Sequence, residues 1–383
     1  MSETDRRGVW AFVTDNSLLL VVGTVLALLW ANIDHPSYER VAHALQFAVN
    51  DVGMVFFFAL ATKEIVEATV PGGALATGRE AAVPVLAALG GMAAPAGLFA
   101  LQAIFTGHPE LQRGWAIPCA TDIAFSYMAA RIIFPKGHPA IPFLLLLAIA
   151  DDAFGLILLA LFYPTGAVLP GKLVGLIPAI FIAYLLKRRG VKSFWPYVVI
   201  AGGLAWTSLF RGGIHPALAL VPIVPFMPHA KRDVEIYGEQ EPHLPDTMSQ
   251  FHNWWHIPVQ IILLLFGLTN AGVEFSSIGP GSWMVLSSLI VGKPLGIVLF
   301  TLIGVAAGLR APGGLRPWNI LLLGITAGIG FTVALFFATA AFPPGELLDQ
   351  VKMGALLSFV AFPIALLVSR VGRRASGVER PAR

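Results

Sequence analysis

Charge is scarce in this 383-residue chain. Asp, Glu, Lys and Arg make up 12% of it against 56% hydrophobic residues, and the mean hydropathy is +0.76. A soluble globular domain carries roughly 25% charged residues, so a water-soluble enzyme or binding module of this length is excluded. A single cysteine, Cys119, rules out an intramolecular disulfide framework. The net charge is only +3, and the basic residues gather at segment ends. That pattern leaves no nucleic-acid footprint. No polar block is long enough to fold separately; the longest, around 229–249, reads as a loop. Residues 1–383 are therefore expected to form one integral membrane domain. The polar start MSETDRRGVW is followed by an apolar run with no small-residue cleavage site. That run is expected to be a retained span and not a signal peptide.

What is present in quantity is long apolar runs. Stretches of about 20 such residues can cross a bilayer as helices, and about twelve occur here. They cover 14–32, 41–69, 80–106, 114–134, 140–163, 168–187, 194–211, 212–228, 250–274, 281–309, 317–341 and 347–371. The expected fold is thus an all-α polytopic membrane protein. An even number of spans puts both termini on one side. Most loop arginines and lysines then share that side, and only Arg40, Arg113, Lys172 and Arg211 fall opposite. By the positive-inside rule both termini are expected in the cytoplasm of a bacterial-type inner membrane.

Ionisable residues at membrane depth are costly and mark function. Span 2 holds Asp51, Lys63, Glu64 and Glu67; span 4 holds Asp122, span 5 Asp151 and Asp152, span 10 Lys293, and Lys352 starts span 12. Residues near span ends, such as Lys63, Glu67 and Lys352, fit structural ion pairs or snorkelling side chains. Asp122, Asp151, Asp152 and Lys293 lie near mid-span, where packing is a poor excuse for charge.

The surroundings of these charges point to broken helices. Pro118 precedes Thr121 and Asp122 in AIPCATDIAF, and a proline removes a backbone donor and clashes with the preceding turn. In span 11, GITAGIGFTVALFF carries Gly328 and Gly330 just before Thr332. Non-helical backbone at this depth is tolerated only inside protein or along a cavity. Two breaks, each central in a three-span group (3–5 and 10–12), are a pointer to a transporter with inverted repeats. The remaining spans would form an interface side.

The stretch AIADDAFG, residues 148–155, sets two acids side by side. Consecutive helix residues point about 100° apart, so Asp151 and Asp152 cannot both face one site. One acid is expected in an ion site and the other against Lys293, the one mid-span cation available as a partner.

ATDIAF at 120–125, ADD at 150–152, SLFRGGIHPALA at 208–219, TNAGV at 269–273, GKPLGI at 292–297 and GIGFT at 328–332 resemble the NhaA-type sodium/proton antiporters, in order over most of the chain. The resemblance implies that Asp122 and Asp152 bind Na⁺ and carry protons, with Thr121 beside them at the unwound part of span 4. It implies that Asp151 partners Lys293, and that Asp51 and Glu64 belong to the pH-response region. It implies no cofactor, only transported Na⁺ or Li⁺ and H⁺, with membrane lipid around the chain. Members dimerise through a hairpin between spans 1 and 2. Here HPSYERVAH, residues 35–43, is short, so the hairpin is expected to be absent and a homodimer has little to support it. The departures fall on regulation. The family's Gly-Leu-Glu-Val-Lys-Arg-Glu stretch reads ATKEIVEA at 61–68, where only Glu64 matches well. Met248 and Ser249 stand where a Glu-His element is usual, with His243, His252 and His256 nearby and His215 in span 8. These histidines are the remaining pH-response candidates.

The chemistry of such a pair is simple. A hard cation needs oxygen ligands, and ionised carboxylates, a hydroxyl and freed carbonyls supply them. The two acids titrate as a coupled pair. The cation binds when they are ionised, and protons bind when the cation has left, which is antiport. Three rivals differ in class. An intramembrane aspartyl protease would need Tyr-Asp and Gly-x-Gly-Asp motifs, and neither occurs at these aspartates. A sodium-coupled symporter would need an organic-substrate pocket. A transport-inactive, regulatory homologue would account for the altered span 2. The expected protein is a transporter and not an enzyme.

Overall fold

The computed structural model describes residues 18–70, 73, 75, 78–135, 137–229, 246–309 and 315–375. Among them the regular secondary structure is all helix. We number the helices α1 (Leu18–Ile33), α2 (His35–Thr69), α3 (Gly78–Phe105), α4 (Ile123–Ile133), α5 (Ala140–Phe162), α6 (Pro170–Arg188), α7 (Gly203–Gly212), α8 (Thr247–Asn270), α9 (Pro280–Ala306), α10 (Pro317–Ala327), α11 (Phe331–Ala341) and α12 (Glu346–Val371). Six of these helices, α2, α3, α5, α6, α9 and α12, are each long and apolar enough to cross a bilayer unaided. Large apolar side chains on them, among them Ile104, Leu161, Ile177 and Leu299, are more than half exposed. In water that surface would be a liability; against acyl chains it is at home.

Both expected interruptions are present. The segment Pro109–Cys119, wound in 3₁₀ turns, meets α4 at 58°, and α10 meets α11 at 53°. The expected span over 212–228 takes another form. It folds as two 3₁₀ turns, Pro216–Leu218 and Val224–Phe226, joined by irregular backbone. Pro216, Pro222, Pro225 and Pro228 explain this, since each removes a backbone donor and blocks a continuous helix. At 35–43 the chain forms the first turns of α2, where Asp34 caps the helix through the Ser37 amide (3.2 Å). No hairpin forms there.

The chain divides into two compact units. One comprises 1–76 and 156–272, the other 77–155 and 273–383. In the first, α1 packs on α8, and a buried amide pair joins α2 to α8. Asn50 donates to Asn270 Oδ1 at 3.0 Å and Asn270 donates back to Asn50 Oδ1 at 2.9 Å. Such pairs act as polar glue where the apolar effect is weak.

In the second unit the closest helix packing is between α3 and α9. A Cβ added at Gly296 would lie 2.0 Å from the Gly90 carbonyl oxygen. A Cβ at Gly292 would lie 2.9 Å from Pro95 Cα. Backbone therefore meets backbone on both sides of Lys293, which is carried to the interior by this contact. We expect Gly296→Val to push α9 off α3, at a cost of about 1–3 kcal/mol or more for overpacking. Thermal unfolding in detergent checks it; an unchanged midpoint would show that the contact is not needed.

Candidate functional site

All the site geometry lies within the second unit, where the two breaks cross. Residues 120–122 are extended, and Asp122 (φ −84°, ψ 103°) is the N-cap of α4, accepting the Phe125 amide at 3.4 Å. Its own amide donates to the Ile329 carbonyl at 2.7 Å. Its Oδ2 accepts the Thr332 amide at 3.2 Å and also the Thr332 hydroxyl. One carboxylate thus sits at the N-terminal ends of both α4 and α11, where free amides and the helix dipole favour negative charge.

The opposite ends are met by donors. At the C-terminal end of α10 the Thr326 carbonyl accepts the Ser126 hydroxyl at 2.8 Å, and the Ala327 carbonyl lies 3.3 Å from the Thr121 hydroxyl. The carbonyl of Cys119, last in its 3₁₀ turn, accepts from Lys293 Nζ. Gly328 is required at the crossing, because a Cβ there would come within 2.7 Å of the Leu289 carbonyl oxygen. Leu289 belongs to the π turn Ser288–Gly292 that delivers Lys293. A π turn inserts one residue and re-aims the side chains beyond it.

Asp151 faces Lys293 at 2.9 Å through Oδ2, which also accepts the Thr121 hydroxyl at 2.6 Å. Asp151 is 3% and Lys293 0% exposed, so the pair is buried. Asp151 Oδ1 is buried and, among the described residues, has no hydrogen-bond partner. Asp152, next on α5, is half-buried and points about 100° away.

The sequence-derived candidates thus fall in two groups here. Thr121, Asp151 and Lys293 form one, and Asp122 and Thr332 the other; the backbone of 119–122 joins them. Thr121 bonds to Asp151 and not to Asp122. Pro118 lies in the 3₁₀ turn just before the break, and Gly330 sits where a Cβ would lie 3.1 Å from the Ala120 carbonyl oxygen. The pH-response candidates lie in the other unit. Asp51 is half-buried in a π turn of α2, its carbonyl accepting Trp206 Nε1 at 2.8 Å. Glu64 is exposed, next to the Lys63–Glu67 pair at 2.7 Å. His215 is buried and accepts the Ala217 amide at 3.4 Å. His252 and His256 have ring centroids 5.5 Å apart. His243 lies outside the described residues. Among the described residues no three His, Cys, Asp or Glu side chains gather as a metal-binding group.

Ser126 and His138 were not singled out by sequence. A lone hydroxyl one turn after the capping Asp122 was the available signal for Ser126. His138 joins α4 to α5. Its Nδ1 accepts the Ala140 amide, at the start of α5, at 3.1 Å, and its ring stacks on Phe134 with centroids 4.9 Å apart. Burial holds this imidazole below its ordinary value. Only a ring unprotonated at Nδ1 can accept the amide. The folded chain therefore binds fewer protons here than the unfolded one, so the stabilisation is present above pH ~6.5 and lost as pH falls below it. We expect His138→Asn, which keeps an acceptor but does not titrate, to flatten the acid-side fall of the thermal midpoint between about pH 7.5 and 5, either side of that value. Parallel curves for the two proteins would rule this out.

Comparison with known proteins agrees with this architecture. The family model Na+/H+ antiporter 1 matches residues 10–368. The Na(+)/H(+) antiporter NhaA of Geobacter sulfurreducens is 44% identical over 363 residues, covering 92% of this chain and 95% of the relative. That of Jannaschia sp. is 42% identical over 410 residues, covering 95% and 97%. Among solved structures, the sodium proton antiporter MjNhaP1 from Methanocaldococcus jannaschii superposes with a TM-score of 0.57 at 16% identity, over 93% of this chain and 91% of that one. At that identity the likeness speaks for the fold. With a family model covering most of its length and relatives above 40% identity, this chain, a multi-pass membrane protein, belongs to the Na+/H+ antiporter 1 family.

Proposed function

We propose that the chain exchanges Na⁺ or Li⁺ for protons by alternating access, exporting the cation across a bacterial inner membrane with both termini in the cytoplasm. The observation that carries this reading is the crossing of two broken spans, with Asp122 at two helix N-termini and Asp151–Asp152 on the adjoining helix. Spans 3–5 and 10–12 form the moving core of inverted repeats.

Asp122 and Asp152 are the exchange pair. In the ionised state they offer carboxylate oxygens to a hard monovalent cation, with freed carbonyls and hydroxyls completing its shell. Sodium is a substrate here, not a resident cofactor. When the cation leaves toward one side, protons take its place; when it returns from the other, they are released. Neither ligand occupies the site while the other does, so each crossing of the core exchanges one for the other. If more protons than cations move per cycle, the membrane potential drives export with about 2.3 kcal/mol per net charge per 100 mV.

Asp122 is suited to this because donors from two helix starts, the Phe125 and Thr332 amides and the Thr332 hydroxyl, meet its carboxylate. Asp151 and Lys293 keep the adjoining charges neutralised, so the cation meets no bare ammonium. The reading is tested in proteoliposomes carrying a proton gradient, with Na⁺, Li⁺ and K⁺ added in turn. Dissipation on adding Na⁺ or Li⁺ is the expected result. Cation uptake in the same direction as protons would point instead to a symporter, and no response to any cation would indicate a transport-inactive protein.

A further inference from the structure

We propose that Ser126 is a positioning residue for cation binding. Its hydroxyl ties α4 to the carbonyl end of α10 and thereby sets where Asp122 presents its carboxylate. The inference rests on the reading of Asp122 as a cation ligand.

The geometry is specific to this one hydroxyl. Ser126 Oγ donates to the Thr326 carbonyl at 2.8 Å, and both residues are 0% exposed. The Ser126 amide bonds to the Asp122 carbonyl at 2.9 Å, so the two residues are one turn apart on the same face of α4. The Asp122 amide in turn holds the Ile329 carbonyl at 2.7 Å. Two bonds thus fasten the first turn of α4 to residues 326 and 329, on either side of the point where α10 ends. Without the Ser126 bond, α4 keeps the Asp122 bonds to Ile329 and Thr332 and the Phe125 ring contacts with Phe331 and Phe359, but it loses its hydroxyl tie to the end of α10, so the Asp122 carboxylate is held less tightly.

The fold is expected to survive loss of the Ser126 hydroxyl. The Thr326 carbonyl also accepts the Ile329 amide at 3.2 Å, so losing the serine does not leave a bare carbonyl in a dry interior. The Thr326 hydroxyl is engaged elsewhere, with the Leu323 carbonyl at 2.8 Å. It does not substitute for Ser126. A buried hydroxyl among Ile123, Phe125 and Ala129 on α4 is itself out of place in an apolar helix, and its burial is explained by the bond it makes.

The test compares Ser126→Ala, Ser126→Thr and Ser126→Cys with the unaltered protein in proteoliposomes, reading proton-gradient dissipation against Na⁺ and Li⁺ concentration. In Ser126→Ala the half-saturating cation concentration should rise about two- to tenfold, the factor one hydrogen bond supplies, with maximal rate within about twofold. Ser126→Thr, which keeps the hydroxyl, should restore the original value, and Ser126→Cys, a weaker donor, should fall between. Unchanged cation affinity in Ser126→Ala overturns the inference. So does equal behaviour of the alanine and threonine variants, or a fall in maximal rate alone. Should the alanine variant not fold, the cysteine variant decides, and a cation affinity equal to the unaltered protein's overturns the inference. Asp122→Asn in the same vesicles separates the two levels. If it transports normally, the reading of Asp122 fails; if it is silent while Ser126→Ala is unaltered, the Ser126 inference alone fails.

Discussion

Replacing Asp152 with asparagine, or Asp122 with asparagine, is expected to reduce Na⁺- and Li⁺-dependent proton movement to the level of protein-free vesicles. Asparagine matches aspartate in shape but neither releases a proton nor carries charge, so it cannot serve the proton half of the exchange and gives the cation no negative charge to bind. The fold should survive. Asp122 has structural duties as the cap of α4 and as acceptor for Thr332, and an asparagine oxygen can still cap the Phe125 amide. Asn and Asp are near-equal N-caps, so the loss of stability at that end is small. The Thr332 side is less forgiving, because an amide NH₂ turned toward two donors loses one acceptor. Asp122→Asn should therefore lower the thermal midpoint more than Asp152→Asn, with both silent in transport. The decisive measurement is transport by folded protein, verified by its elution and midpoint before reconstitution. Cation-dependent proton flux at the unaltered rate in Asp152→Asn would remove that residue from the exchange pair.

How much of this is legible in the sequence depends on which atoms form each contact. The broken spans announce themselves in side-chain identity. Pro118 lacks the N–H a helix requires, and Gly328 and Gly330 lack the Cβ that would collide with crossing backbone. The segment 212–228 misleads for the converse reason. Apolar content measures affinity for the bilayer interior, not the ability to form a helix, and its four prolines outweigh its hydropathy. At the site, helix geometry says that Asp151 and Asp152 diverge but not which of them meets Lys293; that assignment came through the family resemblance. Contacts made by backbone acceptors were invisible. The carbonyls of Cys119, Thr326 and Ile329 receive Lys293, Ser126 and the Asp122 amide, and no residue type advertises a carbonyl freed by a broken helix. Thr121 shows the same limit from the donor side. The family resemblance implied a site shared with Asp122, yet extended backbone turns consecutive side chains to opposite faces, and its hydroxyl goes to Asp151.

Lys293→Met should be strongly destabilising although it leaves shape nearly intact. Methionine fills most of the lysine's volume, so cavity formation contributes little. What changes is charge. Asp151 would lose the cation it faces in a buried position, keeping the Thr121 hydroxyl on Oδ2. Breaking a buried pair from one side costs about 3–5 kcal/mol, because the remaining charge is uncompensated. The Cys119 carbonyl would lose its donor as well, loosening the segment that leads into the break at 120–122. The expected readings are a large drop in thermal midpoint and a loss of transport. Neutralising both sides is the informative control. In Asp151→Asn with Lys293→Met no charge is left stranded, and an asparagine can still accept from Thr121. That double variant should regain most of the lost stability, since replacing a whole buried pair by neutral groups is often near-neutral. A double variant no more stable than Lys293→Met would mean that packing around the lysine stem, between α3 and α9, and not the ion pair, is what holds this part of the core.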